Sequence, residues 1–285
     1  MKIQYFIKGF LISILLGVVL LGCSYKGDFY KKKIDLCDNL TKEKKLTYTH
    51  VASASTVLLW GFTQWGYGEA DFHFRKEGLF ERETANGGAD KLGHFYTNYL
   101  ITRILAPLYG SWGYERKDAA LYAALTAGTL SGLLIEAGDG ISNYGFSHED
   151  LLFDLLGVTV GYFWHTHSSL SDKVDFRLEF VPSFNKGDST DFTTNYEHMK
   201  HLLVIKGDGF KVSENSFVKY MELHIGYYTR DFNHNAMPIE DRKRHLYIGL
   251  GFNLSRVLEP YIGKYAKIFN YYQMPYTYLP VENQY

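Results

Sequence analysis

Cysteine is almost missing from this chain of 285 residues, which holds only Cys23 and Cys37. No disulfide framework can therefore carry the fold, and stability must come from packing. An excess of either charge is missing too. The 30 Lys and Arg stand against 31 Asp and Glu, a formal net charge of −1, which argues against nucleic-acid binding through a basic footprint. No GxxxxGK[ST] phosphate loop and no GxGxxG turn occurs, which disfavours nucleotide enzymes of those types. Neither Ser131 nor Ser147 lies in a G-x-S-x-G context, so no nucleophilic serine stands out. What is abundant is aromatic: 24 Tyr and 20 Phe bring the aromatic share to 17%. Soluble enzymes seldom need so many, whereas proteins at a membrane interface often carry them.

The N-terminus reads as an export signal. Lys2 and Lys8 form its positive start, and Phe10 to Leu21 is an uncharged apolar run. It ends in Leu20-Leu21-Gly22-Cys23, which resembles a bacterial lipoprotein box. The resemblance implies cleavage before Cys23, and diacylglycerol and a fatty acyl chain on its sulfur and new amino group. Ser24 follows, where an Asp would resemble an inner-membrane retention signal, so an outer-membrane lipoprotein facing the periplasm is expected. Loss of Lys2 and Lys8 leaves 28 basic against 31 acidic side chains. The expected organisation is a signal peptide over 1–22, a polar tether over 23–47, a helical bundle over 48–167 and a β-rich region over 168–285.

Four apolar segments make the bundle. His50 to Gly66 is the first. Ala89 to Leu108 carries Leu92, Phe95, Tyr99 and Ile104 near a period of 3.6 and ends at Pro107 and Gly110. Lys117 to Ala137 is stopped by Gly138 and Gly140, and Ser147 to Trp164 opens on a capping-box-like Ser147 and Asp150. Short connections suggest antiparallel neighbours. The uncharged stretch between Asp118 and Glu136 sits at the bottom of the membrane-spanning range. Its Ala, Gly, Thr and Ser weaken insertion, so it reads as a buried bundle helix that could rest on a bilayer. Beyond 168 the period changes to two: Phe176, Leu178 and Phe180 alternate with Arg177 and Glu179, as in a half-buried strand. Met221 to Tyr227 and Leu246 to Leu254 alternate likewise. Gly- and Tyr-rich alternation also marks outer-membrane barrels, but three or four such strands are too few for one. The fold class expected is α+β, an antiparallel helical bundle followed by a small antiparallel β-sheet.

Polar residues inside these apolar helices carry the chemistry. Asp90 and His94 share a helical face, with Lys91 beside them and Asn98 one turn on. Glu136 and Asp139 close the third helix. Asp150 and Asp154 open the fourth, with Asp154 set among leucines. A carboxylate buried there needs a partner, so the pairs are expected to meet at one end of the bundle. His94 backed by a carboxylate could act as general acid or base, and two or three acids with one His could hold a divalent metal. A structural ion-pair network or unrelated surface charges would explain the same residues, and a first-turn dipole alone accounts for Asp150. His165 and His167 could bind metal, but a solvated helix C-terminus attracts His anyway.

The order Ala89-Asp90-Lys91-Leu92-Gly93-His94, then Glu136-x-x-Asp139-Gly140, then Phe146-Ser147-x-x-Asp150 resembles the YfiM-type predicted periplasmic lipoprotein family, a domain of unknown function. It is distantly similar to the membrane-embedded VanZ-like proteins. The resemblance is good over about 55–165 and weaker over 175–280. It departs at Asp154, where Asn is expected; an acid there favours a cation. The resemblance implies fold and location but no mechanism. Two functions remain open. One is a non-enzymatic envelope lipoprotein, held to the membrane by its anchor and binding lipid or an envelope-protein partner. The other is a membrane-proximal hydrolase, with or without a metal, using His94, Glu136, Asp139 and Asp150, supported by Asp90, Lys91, Asn98, Ser147 and Asp154. The cofactor is left open, and the lipid on Cys23 is the covalent group expected.

Overall fold

In the computed structural model the chain is described over residues 40–181, 195–213, 216–232 and 238–284. The expected signal peptide, the lipid site Cys23 and the tether up to residue 39 lie outside these residues. The chain divides into two units: a bundle unit of Met1–Lys76 with Thr97–Thr166, and a sheet unit of Glu77–Tyr96 with His167–Tyr285. The first part of the second long helix thus goes with the sheet, a division finer than the sequence suggests.

In the bundle unit, helix α1 (Lys42–Trp60) begins where Thr41 accepts the N–H of Lys44, so the polar stretch turns helical six residues before the expected boundary. A π-helical turn, Gly61–Trp65, ends at Gly66 with φ +70°. Helix α2 (Ala89–Ser111) contains Pro107 rather than ending at it. The proline sits in the last turns, where its ring removes one helical hydrogen bond without stopping the chain. Helix α3 (Arg116–Gly140) passes through a π-helical stretch, Gly128–Ile135. Helix α4 (His148–Thr166) starts as expected at Ser147, whose hydroxyl accepts the N–H of Asp150 at 3.1 Å. The helices meet through small residues. A Cβ on Gly161 would lie 2.7 Å from Cβ of Thr102, and Ala119, Ala120, Ala123 and Ala127 are fully buried. The larger apolar side chains face out: Leu121, Leu125, Leu133, Leu152 and Leu155 are each about half exposed. Helix α3 is the one helix among the described residues long and apolar enough to cross a membrane.

In the sheet unit, five antiparallel strands follow one another in space as in sequence: β1 (Val174–Phe180), β2 (Met199–Lys206), β3 (Met221–Arg230), β4 (Lys243–Phe252) and β5 (Tyr278–Gln284). β2 and β5 are additions to the expected strands. The His201-Leu202-Leu203-Val204-Ile205 run hides the alternation of β2, and Pro280 disguises β5, an edge strand where proline is tolerated. The register sets Asp175 opposite Val204, Arg177 opposite Leu202, and Leu202 opposite Gly226. That face is the buried one, and it is the charged one. Arg177 forms a bidentate pair with Glu222 (2.8 and 2.6 Å) and reaches Asp175 at 3.3 Å, while Lys206 meets Asp175 at 3.0 Å. Gly226 makes room for the Tyr247 ring, which a Cβ would approach to 2.1 Å, and Gly251 does so for His224. On the opposite face, Ile248 pairs with Val281 and Leu250 with Leu279; these four are 55%, 79%, 56% and 80% exposed. The ordinary sense of a half-buried strand is inverted here.

Candidate functional site

Helix α2 presents Lys91, His94 and Asn98 at spacings of three and four, so they follow one another along one side of the helix. Its first turns belong to the sheet unit. There the fully buried Lys91 ammonium donates to Glu77 Oε2 at 2.5 Å and to Asp90 Oδ2 at 2.9 Å. The two carboxylates come within 4.8 Å of one another around this one cation. Glu77 escapes sequence reasoning because it lies in a loop with no periodic pattern. His94 is half-buried.

The bundle unit holds the rest. From Asn98, one turn beyond His94, the side-chain amide donates to Asp154 Oδ1 at 2.5 Å, and both residues are fully buried. Gly132 explains how α3 comes so near, since a Cβ there would stand 3.3 Å from Cβ of Asp154. One turn further, Glu136 brings a carboxylate oxygen within 4.8 Å of one on Asp154. Two acids this close and out of water repel each other unless positive charge lies near them. Glu136 Oε2 accepts the main-chain N–H of Ser147 at 3.1 Å. Ser147 thereby ties the end of α3 to the start of α4 and sets Glu136 level with Asp150. Asp139 contributes through its main chain: its carbonyl accepts from Ser142 at 3.0 Å and from Gly145 at 2.9 Å, closing the connection between the helices.

A tyrosine joins this set that the sequence reading passed over. The Tyr67 ring lies between Gly61 and Gly138, where added Cβ atoms would come to 2.0 and 2.1 Å of it. Its hydroxyl donates to the Ile135 carbonyl at 3.2 Å. Burial first, then the charges of Asp139 and Glu136, hold the phenol well above its ordinary pKa, so it stays a neutral donor. The available signal was the pair of glycines around it: Gly66 and Gly68 both have positive φ, marking a turn built to present the residue between them.

Within the bundle unit, then, Asn98, Asp154, Glu136 and Ser147 form one connected polar group. The Asp150 N–H joins it at the Ser147 hydroxyl, and Asp139 takes part in the α3–α4 connection through its carbonyl. Asp90 and Lys91 form a second group with Glu77 in the sheet unit. Residues 76–166 match the model of a predicted periplasmic lipoprotein family, DUF2279, so the resemblance carried by the motifs holds over that segment and supports a location in the cell envelope. The matched segment contains every polar residue of both groups and leaves out α1 and the whole sheet. Comparison with curated proteins and with solved structures finds no match.

Proposed function

We propose that the protein is an outer-membrane lipoprotein, anchored by acyl chains on Cys23, that binds lipid by laying apolar surfaces against the bilayer. The observation that carries this is the inverted sheet. A face of Arg, Asp, Glu and His is buried while Ile248, Leu250, Leu279 and Val281 stand exposed, the polarity of a sheet whose outer side meets hydrocarbon. The bundle has the same polarity, with Ala, Gly, Thr and Asn inside and leucines outside. The distance from Cys23 to the cap at Thr41 spans at most about 60 Å of extended chain, which keeps these surfaces within reach of the anchoring membrane. The test is flotation with phosphatidylcholine vesicles, using the chain from Ser24 onward, which keeps every described residue. Binding that falls on Ile248→Ser and Leu250→Ser with an unchanged melting temperature supports the reading. A monomer that stays with the soluble fraction at every lipid concentration overturns it.

A second reading, a metal-assisted hydrolase, is favoured by the Glu136–Asp154 pair. Two carboxylates this close, both within the bundle unit, make an oxygen donor set that suits Mn²⁺ and that Zn²⁺ also accepts. A cation there would activate water, with Asp139 and Asp150 as further acids and Tyr67 as a neutral donor. Metal retained by the purified chain and lost in Glu136→Gln supports this reading. No binding of Mn²⁺ or Zn²⁺ by calorimetry removes it.

A further inference from the structure

After β4 the chain turns at Asn253, whose side chain caps helix α5 (Leu254–Ile262) by accepting the N–H of Arg256 at 3.0 Å. It reverses at Gly263, φ +56°, into a 3-10 helix, Gly263–Asn270. Together with the loop after β2, this hairpin borders an open cavity of about 350 Å³ within the sheet unit. Its charged lining is balanced, with Lys206, Arg256 and Lys267 beside Asp172, Asp208 and Glu259. Lys206 is held by Asp175 at 3.0 Å. Arg256 and Glu259 meet at 3.4 Å at the exposed rim, a pair that a zwitterion can replace group for group. The outer side of the same hairpin is different in kind. Tyr261 is 81% exposed, Tyr265 61% and Ile268 59%, with the Lys264 ammonium 5.6 Å from the centre of the Tyr265 ring. Over residues 261–268 only Ala266 is buried. Aromatic and aliphatic side chains mixed with lysines are what an element at the headgroup level of a bilayer displays.

We propose that this cavity takes the phosphoethanolamine headgroup of a glycerophospholipid, with the hairpin's Tyr261, Tyr265 and Ile268 resting in the bilayer interface. The inference rests on the membrane-bound reading above and names the lipid. Both signs of charge line the cavity, so a purely anionic headgroup would meet three carboxylates and a purely cationic ligand three cations. A zwitterion satisfies both sets: its phosphate takes charge-assisted hydrogen bonds from Arg256 and Lys267. Its primary ammonium, with three N–H donors, serves Asp208 and Glu259. The quaternary ammonium of phosphocholine has no N–H to give, so the cavity discriminates between the two zwitterionic lipids. Burial raises the Asp208 pKa, and a neighbouring ammonium would draw it back toward the charged form.

The test compares the chain from Ser24 onward on vesicles of phosphatidylcholine alone and of phosphatidylcholine with phosphatidylethanolamine, and titrates soluble glycerophosphoethanolamine by calorimetry. Vesicles with phosphatidylethanolamine should bind about tenfold better, as expected for one or two charge-assisted contacts. That preference should vanish in Arg256→Gln and in Glu259→Gln, whereas Tyr265→Ser should weaken binding to both vesicles. Binding of the soluble headgroup that also disappears in Arg256→Gln supports the cavity, and without any vesicle preference it identifies a free phosphoethanolamine ester as the source. Equal binding to both vesicles together with no soluble binding overturns the inference while leaving the bilayer reading intact. If no vesicle binds at all, the bilayer reading fails, and the calorimetric arm alone decides the cavity.

Discussion

The two units bury polar groups in different ways. The sheet neutralises its buried charges with opposite charges: Arg177 is clamped on both oxygens of Glu222, and Lys206 sits on Asp175. The bundle gives Asp154 a side-chain amide and Glu136 a main-chain N–H, neutral donors that orient each carboxylate. A clamped pair resists any rearrangement, so it reads as scaffold. In the metal-assisted reading proposed above, acids oriented in this way serve a ligand. On that proposal the sheet is architecture and the bundle holds the candidate chemistry, although both share the same inverted surface polarity.

The sharpest way to break this comparison is to remove one partner from each network. Arg177→Met leaves Glu222 and Asp175 buried beside an uncharged side chain and should cost about 3–5 kcal/mol, the usual penalty for orphaning a buried charge. Asp154→Asn keeps a hydrogen-bond acceptor for Asn98 and should cost less than Arg177→Met, about 1 kcal/mol, because that buried bond survives the change. Denaturant unfolding followed by near-UV circular dichroism measures both. Equal costs would mean that the bundle acids are scaffold too.

Acid titration gives a second, smaller contrast. Burial depresses His201 in the sheet to about 3. Burial, then Arg103 and Arg116, depress His165 in the bundle to about 4. Each ring is neutral in the folded chain and takes a proton in the unfolded chain near its ordinary pKa of about 6.5. Stability is therefore full above that value and declines as the pH falls through the window, to about pH 3 for His201 and about pH 4 for His165. The slope for the fully buried His201 approaches about 1.4 kcal/mol per pH unit, and the partly exposed His165 contributes less. His201→Gln should flatten the decline between pH 6.5 and 4 relative to wild type, and His165→Gln should flatten it less. Thermal melts across that range decide, and an unchanged slope in His201→Gln would show that the ring is hydrated in solution.

The legible parts of the fold were those where one residue type has one use. Ser147 announced a helix start, and Gly138 and Gly140 marked the end of α3. Alternation found β1, β3 and β4. Alternation alone does not say which face is inside, and the habit of turning apolar residues inward fails for a sheet that buries Arg177 and Glu222. Gly226, Gly249 and Gly251 were the available hint. All three lie on the buried face; Gly226 and Gly251 clear space for Tyr247 and His224, and a Cβ on Gly249 would stand 3.2 Å from the Leu279 carbonyl and the Tyr278 ring. For the site, the i, i+4 spacing put His94 next to Asn98, and the burial cost of Asp154 foretold a partner. Glu77 and Tyr67 were illegible because loops brought them in, and no local pattern records where a loop ends up.

The finest test bears on Ser147, where scaffold and site meet. Its hydroxyl caps α4 through Asp150, and its N–H holds Glu136. Ser147→Ala keeps the N–H and loses the cap together with the long hydroxyl contact to Glu149 at 3.5 Å, so it should cost about 1 kcal/mol. Ser147→Asp restores a capping oxygen and gains from the helix dipole. It also sets a third carboxylate beside Glu136 and Asp150, a repulsion that opposes the gain. If the bundle acids serve a cation, Ser147→Asp is less stable than Ser147→Ala in the presence of a chelator, and millimolar Mn²⁺ reverses the order. If they are scaffold alone, Ser147→Asp recovers the capping energy and Mn²⁺ changes neither variant. Melting temperatures of the two variants with and without the ion separate these outcomes, because each compares proteins that differ only at the cap.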